Sequence, residues 1–243
     1  GYRAICMRAS AGGIGTPRDR LEQMRSEVEA AGIVVFMVTA DSDVPLNNKR
    51  GPNSLRDIGP SLDVAEALGC DLIRVCLKQE SDIEHARRAA DRAGERGIRL
   101  AHQCHTTTLF EQVDASLAVL EEIGRPNFGL IYEPANLMLC GEPYDETTLK
   151  QFLPYLMNVY VQNHRLDENG PEALETWCLG ERRFHHIPIW ERGGVDFDSV
   201  IAGLKAVGYE GYFTVHQAYA HLMGPEEAAV KSAEYLRSFG CFE

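Results

Sequence analysis

GIRLAHQCHTTTLFEQVDASLAVLEEIGRPNFGLIYEPANL, residues 97–137, carries the pattern that decides the fold. An apolar run, Ile98–Gln103, leads into Phe110, Val113, Leu117, Leu120 and Ile123, which recur at helical spacing. Gly124 ends that stripe, and a second apolar run, Phe128–Glu133, follows. Runs apolar on both faces read as strands of a parallel sheet, and the helix between them as the crossover. The same βα unit recurs along the chain. Further strand runs are Ala4–Arg8, Ile33–Thr39, Leu72–Leu77, Val159–Asn163 and Tyr212–His216, with about 30 residues the commonest step. Other helical stripes are Leu21/Met24/Val28/Ala31, Ile83/Ala86/Ala90/Ala93, Leu149/Phe152/Leu153/Leu156 and Phe197/Val200/Leu204. Thr16-Pro17 reads as N-cap and first turn of the first helix, and Ser81 with Glu84 as a capping box. Gly32, Gly69, Gly97, Gly124 and Gly208 fall where helices end.

Seven strands at this step suit either a doubly wound sheet or a (β/α)8 barrel. The only phosphate-loop candidate, Ala11-Gly12-Gly13-Ile14-Gly15, lacks the G-x-G-x-x-G spacing, and no acid closes the following strand where one is needed, Asp41 being the nearest. The reading is therefore a (β/α)8 TIM barrel over residues 1–243 as one domain, with a first strand and helix of about 25–30 residues expected to lie outside the given chain.

Composition bounds the function. With 24 Lys plus Arg against 36 Asp plus Glu, the formal charge of −12 argues against a nucleic-acid partner. No apolar run is long enough to span a bilayer, so no membrane partner is expected. The seven cysteines are odd in number, scattered and without a C-x-x-C pair, which suits reduced thiols in a cytoplasmic protein.

In a parallel barrel, chemistry gathers at the C-terminal strand ends. Those ends carry Arg74 and Lys78, then His102-Gln103-Cys104-His105, then Glu133-Pro134-Ala135-Asn136. Tyr160, Gln162-Asn163-His164 and His216-Gln217 follow. Strand alternation turns Gln103 and His105 to one face and His102 to the other, with Glu133 and His216 converging on the first group. Such a set could ligate Mn, Fe or Zn, or could serve as general acid and base; spacing leaves both open. Glu133, His105 and Lys78 are the catalytic candidates. Arg74, Asn136, Tyr160, Asn163, His164 and Trp190 are the substrate-binding ones. Residues 164–195 read as a long covering connection, in which His185-His186 are candidate ligands and Arg182-Arg183 a candidate anion clamp.

Three stretches, Gly97–His105, Pro126–Leu137 and Gly193–Tyr212, resemble the xylose isomerase-like TIM-barrel superfamily, and the likeness runs from Gly1 to about Tyr219. Members of that group include sugar isomerases, epimerases and dehydratases, most with a divalent metal held by Glu, Asp, His and Glu. The resemblance implies Gln103, Glu133, Tyr160 or Gln162, and His216 at those four places, with His105 retained beside the first. It also implies a metal of the Mn, Fe or Zn kind through Gln103, Glu133, Gln162 and His216. The expected substrate is a small carbohydrate, acted on by proton transfer beside a carbonyl with isomerisation or epimerisation as the outcome. Two alternatives stand beside it: a lyase eliminating from a keto-sugar or 3-oxo-glycoside, and a non-catalytic sugar-binding barrel. A homo-oligomer or a partner subunit is compatible with each.

Overall fold

A computed structural model of the chain describes residues 1–40, 50–216 and 220–242, so Asp41, Gln217 and Tyr219 lie outside the described residues. The first half alternates β1 (Ala4–Met7), α1 (Arg18–Ala30), β2 (Val34–Thr39), α2 (Asn53–Arg56), α3 (Gly59–Leu68), β3 (Leu72–Val75), α4 (Ser81–Gly94) and β4 (Arg99–Gln103). Next come α5 (Val113–Ile123), β5 (Phe128–Tyr132), α6 (Pro134–Leu139), α7 (Glu146–Phe152) and β6 (Leu156–Val161). A departure follows in β7 (Asn163–Leu166), β8 (Glu172–Thr176) and β9 (Gly180–Ile187), before α8 (Phe197–Ala206), β10 (Phe213–Val215) and α9 (Pro225–Arg237).

The seven expected strands are all present and form one parallel sheet in the order β1-β2-β3-β4-β5-β6-β10. The sheet curls into a nearly closed barrel. Its two end strands meet through side chains, with Cys6 Sγ 3.6 Å from Thr214 Oγ1, and the ring of Tyr212, just before β10, reaches across to Phe36 of β2 at 4.2 Å. The expected eighth strand is not among the described residues. Alternation then divides the core in two. Leu100, Leu130, Ile73, Val159 and Val161 point outward into the large layer shared with the helices. Met37, Leu72, Ala101, Ile131 and Tyr160 fill the barrel interior. No helix among the described residues is long and apolar enough to cross a membrane.

Three local expectations are corrected. Residues 164–195 hold an antiparallel sheet of order β7-β9-β8 rather than an irregular connection. Pro17, not Thr16, occupies the N-cap of α1, because the Thr16 hydroxyl is taken by the N–H of Gly13 in the preceding turn. Ser81 and Glu84 form no capping box. Asp82 instead accepts the N–H groups of Lys78 and Gln79 at 2.9 and 3.1 Å, while Glu84 pairs outward with Arg87 and Arg88.

Candidate active site at the barrel mouth

Three carboxylates are buried among the described residues: Asp82, Glu111 and Glu133. The first two accept backbone N–H groups. Glu133 differs. It follows the last residue of β5 on its inward phase, where Pro134 starts α6 and turns the chain away. Its carboxylate is ringed by side-chain amides. Asn136 donates to Oε2 at 2.6 Å, Gln103 donates to the same oxygen, and Gln162 donates to Oε1. Asn136 also donates to the Cys104 carbonyl at 2.9 Å, which ties α6 to the end of β4. Burial pushes the Glu133 carboxyl up to about 8, against the lowering effects of Gln162 and Arg74.

His216 joins this chain of contacts. Its Nδ1 lies 3.0 Å from Gln162 Oε1, and since a carbonyl oxygen only accepts, that nitrogen carries the proton and Nε2 keeps its lone pair. His105 is arranged alike, with Nδ1 3.0 Å from the Thr106 carbonyl. Both imidazoles are held neutral. Burial, aided by the Arg74 charge, pushes His105 down to about 3, and burial with the charges of Arg8 and Arg74 pushes His216 down to about 4.

Arg74 projects into the barrel from β3, its guanidinium carbon 5.9 Å from the centre of the Tyr160 ring. Burial lowers its pKa, with Tyr160 and Glu133 acting against that trend. Tyr160 and His216 stack at 6.4 Å. A cavity of about 530 Å³ runs along the seam between β1 and β10 and reaches Arg74, Tyr160 and His216, a size that admits a small sugar.

The barrel interior thus gathers Gln103, Glu133, Tyr160, Gln162, His216 and Arg74, while His102 turns outward, stacked 4.2 Å from Phe110. Other sequence candidates have different tasks. Lys78 donates through Nζ to the Thr107 carbonyl at 3.1 Å and to its hydroxyl at 3.4 Å. It thereby fixes a residue at φ 54°, just beyond His105. Asn163, expected to bind substrate, is occupied by backbone: it donates to the carbonyls of Pro188 and Glu191 and accepts from Val195 N–H. Gly194 allows that approach, since a Cβ there would lie 2.2 Å from Asn163 Oδ1. Trp190 is half-buried against the main core. Arg183 donates to the Gly170 carbonyl, and His185 pairs with Asp167, so neither projects into the mouth.

His164 is buried in the small sheet, stacked 4.2 Å from Phe184 and edge-on to His186 at 4.8 Å. Burial, then the charges His186, His216 and His105 would carry, holds it well below the usual histidine range. Phe184 escaped the sequence reading, which took His186 only as a candidate loop ligand and not as a strand residue packed on His164. The signal that could have found them is the pair of alternating runs flanking Trp177–Leu179, with Gly180 at φ 70° in the hairpin tip.

A metal can be tested against this donor set. Tyr160 does not supply a phenolate, because burial holds its hydroxyl well above the ordinary tyrosine value. Gln103 Oε1 is buried without a hydrogen-bond partner beside the Glu133 carboxylate. Turning over the Gln103 and Gln162 amides would offer two oxygens alongside one carboxylate and one imidazole. That set fits a borderline divalent ion and is too poor in anionic oxygen for Mg²⁺.

The family model described as "Xylose isomerase-like TIM barrel" matches residues 1–239. Among curated proteins, inosose dehydratase of Geobacillus thermodenitrificans is 24% identical over 157 residues, 64% of this chain and 52% of that protein. The chain therefore aligns with about half the length of that relative. Among solved structures, the xylose isomerase domain protein of Planctomyces limnophilus superposes with a TM-score of 0.74 at 17% identity, covering 97% of this chain and 96% of the other. The probable 3-DHS dehydratase AsbF of Bacillus anthracis gives 0.72 at 14% identity, covering 98% and 89%. A Mycobacterium smegmatis barrel protein in complex with magnesium (0.69, 17% identity, 97% and 82%), the IOLI protein with a zinc atom (0.66, 15%, 98% and 88%) and a D-psicose 3-epimerase (0.63, 13%, 88% and 74%) share the fold.

Proposed function

The chain belongs to the xylose isomerase-like TIM barrel family, and from that membership we propose that it is an enzyme moving a proton at the carbon beside the carbonyl of a small keto-sugar. The observation that carries this reading is Glu133, a buried carboxylate at a strand end, fixed by three amide donors, one of which also binds the neutral His216 imidazole, with the Arg74 charge acting on it. Carbon deprotonation needs a base held rigidly at the substrate and an electrophile where negative charge develops. Glu133 is the proton carrier, because burial brings its carboxyl to about 8, where it can exchange a proton near neutral pH, and the amide cage fixes both oxygens. Arg74 faces the developing oxyanion from inside the barrel. His105 offers Nε2 to a substrate hydroxyl and is anchored by the Thr106–Thr107 turn and Lys78. Asn136 is a positioning residue.

A borderline divalent ion (Mn, Fe or Zn) would be held by Glu133 and His216, with Gln103 and Gln162 turned to present oxygen; when bound, it would supply Lewis-acid stabilisation of an enediolate. The outcome assigned first is isomerisation or epimerisation. The likeness to inosose dehydratase favours a second: the same proton abstraction followed by β-elimination. Incubation with keto-sugars in D₂O, followed by NMR, tests the shared step. Deuterium should enter at the carbon beside the carbonyl in the wild type and not in Glu133→Gln. An unsaturated product would assign the elimination outcome. Absence of exchange across ketoses, inososes and 3-oxo-glycosides, with and without added Mn²⁺ or Zn²⁺, would overturn the reading in favour of a non-catalytic barrel.

A further inference from the structure

Away from the mouth, two thiols from distant parts of the chain meet. Cys140 is the C-cap residue of α6, seven residues beyond Glu133, and is buried. Cys178 sits in the tip of the β8–β9 hairpin and is half-buried, lining a surface groove with Trp177, Glu111 and Gln112. Both sulfurs and a Glu111 oxygen lie within 4.8 Å of one another. Cys178 Sγ is 3.5 Å from the Cys140 carbonyl. Next to them Leu179 packs so tightly on Gly141 that a Cβ there would be 3.2 Å from its Cδ1. The hairpin tip therefore rests directly on the end of α6.

We propose that Cys140 and Cys178 are a redox-active thiol pair that closes into an intramolecular disulfide by exchange with a small-molecule disulfide. Glu111 argues for this over a metal site at the same place. Its Oε1 accepts from Thr107 and Trp177 N–H, and its Oε2 from Trp177 and Cys178 N–H, so both oxygens are engaged and two sulfurs remain. A pair of sulfurs alone is a dithiol, not a closed coordination shell.

The order of events follows from exposure. Cys178 faces the groove, whereas burial and then Glu111 push the Cys140 thiol up, so Cys178 attacks first. Its thiolate takes one sulfur of the small disulfide and releases one thiolate, leaving a mixed disulfide. Cys140, on losing its proton, then attacks the Cys178 sulfur and releases the second thiolate. Two protein thiols are oxidised and one small disulfide is reduced to two thiols. Closure brings the two sulfurs, which already lie within 4.8 Å of one another, to bonding distance, about 2 Å. Because β7 and β9 carry His164 and His186, the bridge would anchor the element that bears them to the helix after Glu133. The inference is independent of the reaction proposed above.

The experiment uses the full chain with exposed Cys241 changed to serine. It is incubated with excess oxidised glutathione, alkylated, and mapped by mass spectrometry without reduction. The expected product is lighter by about 2 Da, links the Cys140 and Cys178 peptides, reverts with dithiothreitol, and melts several degrees higher than the dithiol. Cys140→Ser should stop as a glutathione adduct on Cys178, and Cys178→Ser should leave Cys140 unmodified. Unmodified thiols, a persistent adduct on Cys178 in the parent, a link to another cysteine, or one equivalent of Zn²⁺ shielding both thiols from alkylation would each overturn the proposal.

Discussion

Replacing Glu111 by alanine should loosen the barrel mouth. One buried carboxylate here joins two segments far apart in sequence. It accepts Thr107 N–H at 2.9 Å, Trp177 N–H at 2.9 and 3.0 Å, and Cys178 N–H at 3.1 Å. The first belongs to the turn that carries His105, the others to the hairpin tip. Alanine would orphan three backbone donors, and each buried unsatisfied donor costs ~1–3 kcal/mol. These bonds are only partly buried, so water can reach the freed groups and the low end applies, giving ~3 kcal/mol in all. For a chain of this size that corresponds to a melting point lower by roughly 6–12 °C. Urea unfolding and amide hydrogen exchange test the two halves of the argument. Glutamine, retaining one acceptor oxygen, should fall between wild type and alanine. The reasoning is refuted if Glu111→Ala unfolds within about 0.5 kcal/mol of wild type and the Thr107, Trp177 and Cys178 amides keep their protection.

Other outcomes are equally specific. Glu133→Gln should lower kcat for solvent-proton exchange by about 10²–10⁴-fold while the fold is retained, as far-UV circular dichroism would report. Asn163→Ala should cost ~2–4 kcal/mol by freeing two carbonyls and the Val195 N–H, seen as a lower urea midpoint, with substrate KM unaffected in whatever protein remains folded. Burial, and then the charge His221 would carry, holds the His186 imidazole below its ordinary 6.5, with Glu172 acting against them, so the folded state binds fewer protons than the unfolded chain. Its contribution to stability is complete above pH 6.5 and falls away as pH drops from there toward the folded value. His186→Phe should therefore flatten that acid limb in a pH series of thermal melts. Calorimetric titration should detect Zn²⁺ or Mn²⁺ binding far tighter than Mg²⁺, and Gln103→Leu should weaken it.

The strand and helix periods, both local properties, were readable without coordinates. The seven buried runs became seven strands within a residue or three at each end, and Gly69 and Gly124 close their helices in the left-handed conformation. Alternation turned Gln103 toward Glu133 and His102 to the opposite face; the structure shows Gln103 donating to Glu133 and adds Phe110 as the ring on which His102 stacks. Local signals failed where a side chain had a better partner elsewhere. The Thr16 hydroxyl satisfies a turn, and Asn163 holds the 188–195 segment in place of a ligand. The small sheet over 163–187 was missed because its strands are rich in charged and polar residues, and pairs such as His164 with His186 form only once the chain has doubled back. Charge state lay furthest from the sequence. A histidine or glutamate carries the same letter exposed or buried, yet His105 is held neutral and the Glu133 carboxyl is pushed up to about 8 because the nearly closed barrel takes both out of water. Which groups converge is set by a period of two along each strand, but how they titrate is set by what the other strands place around them.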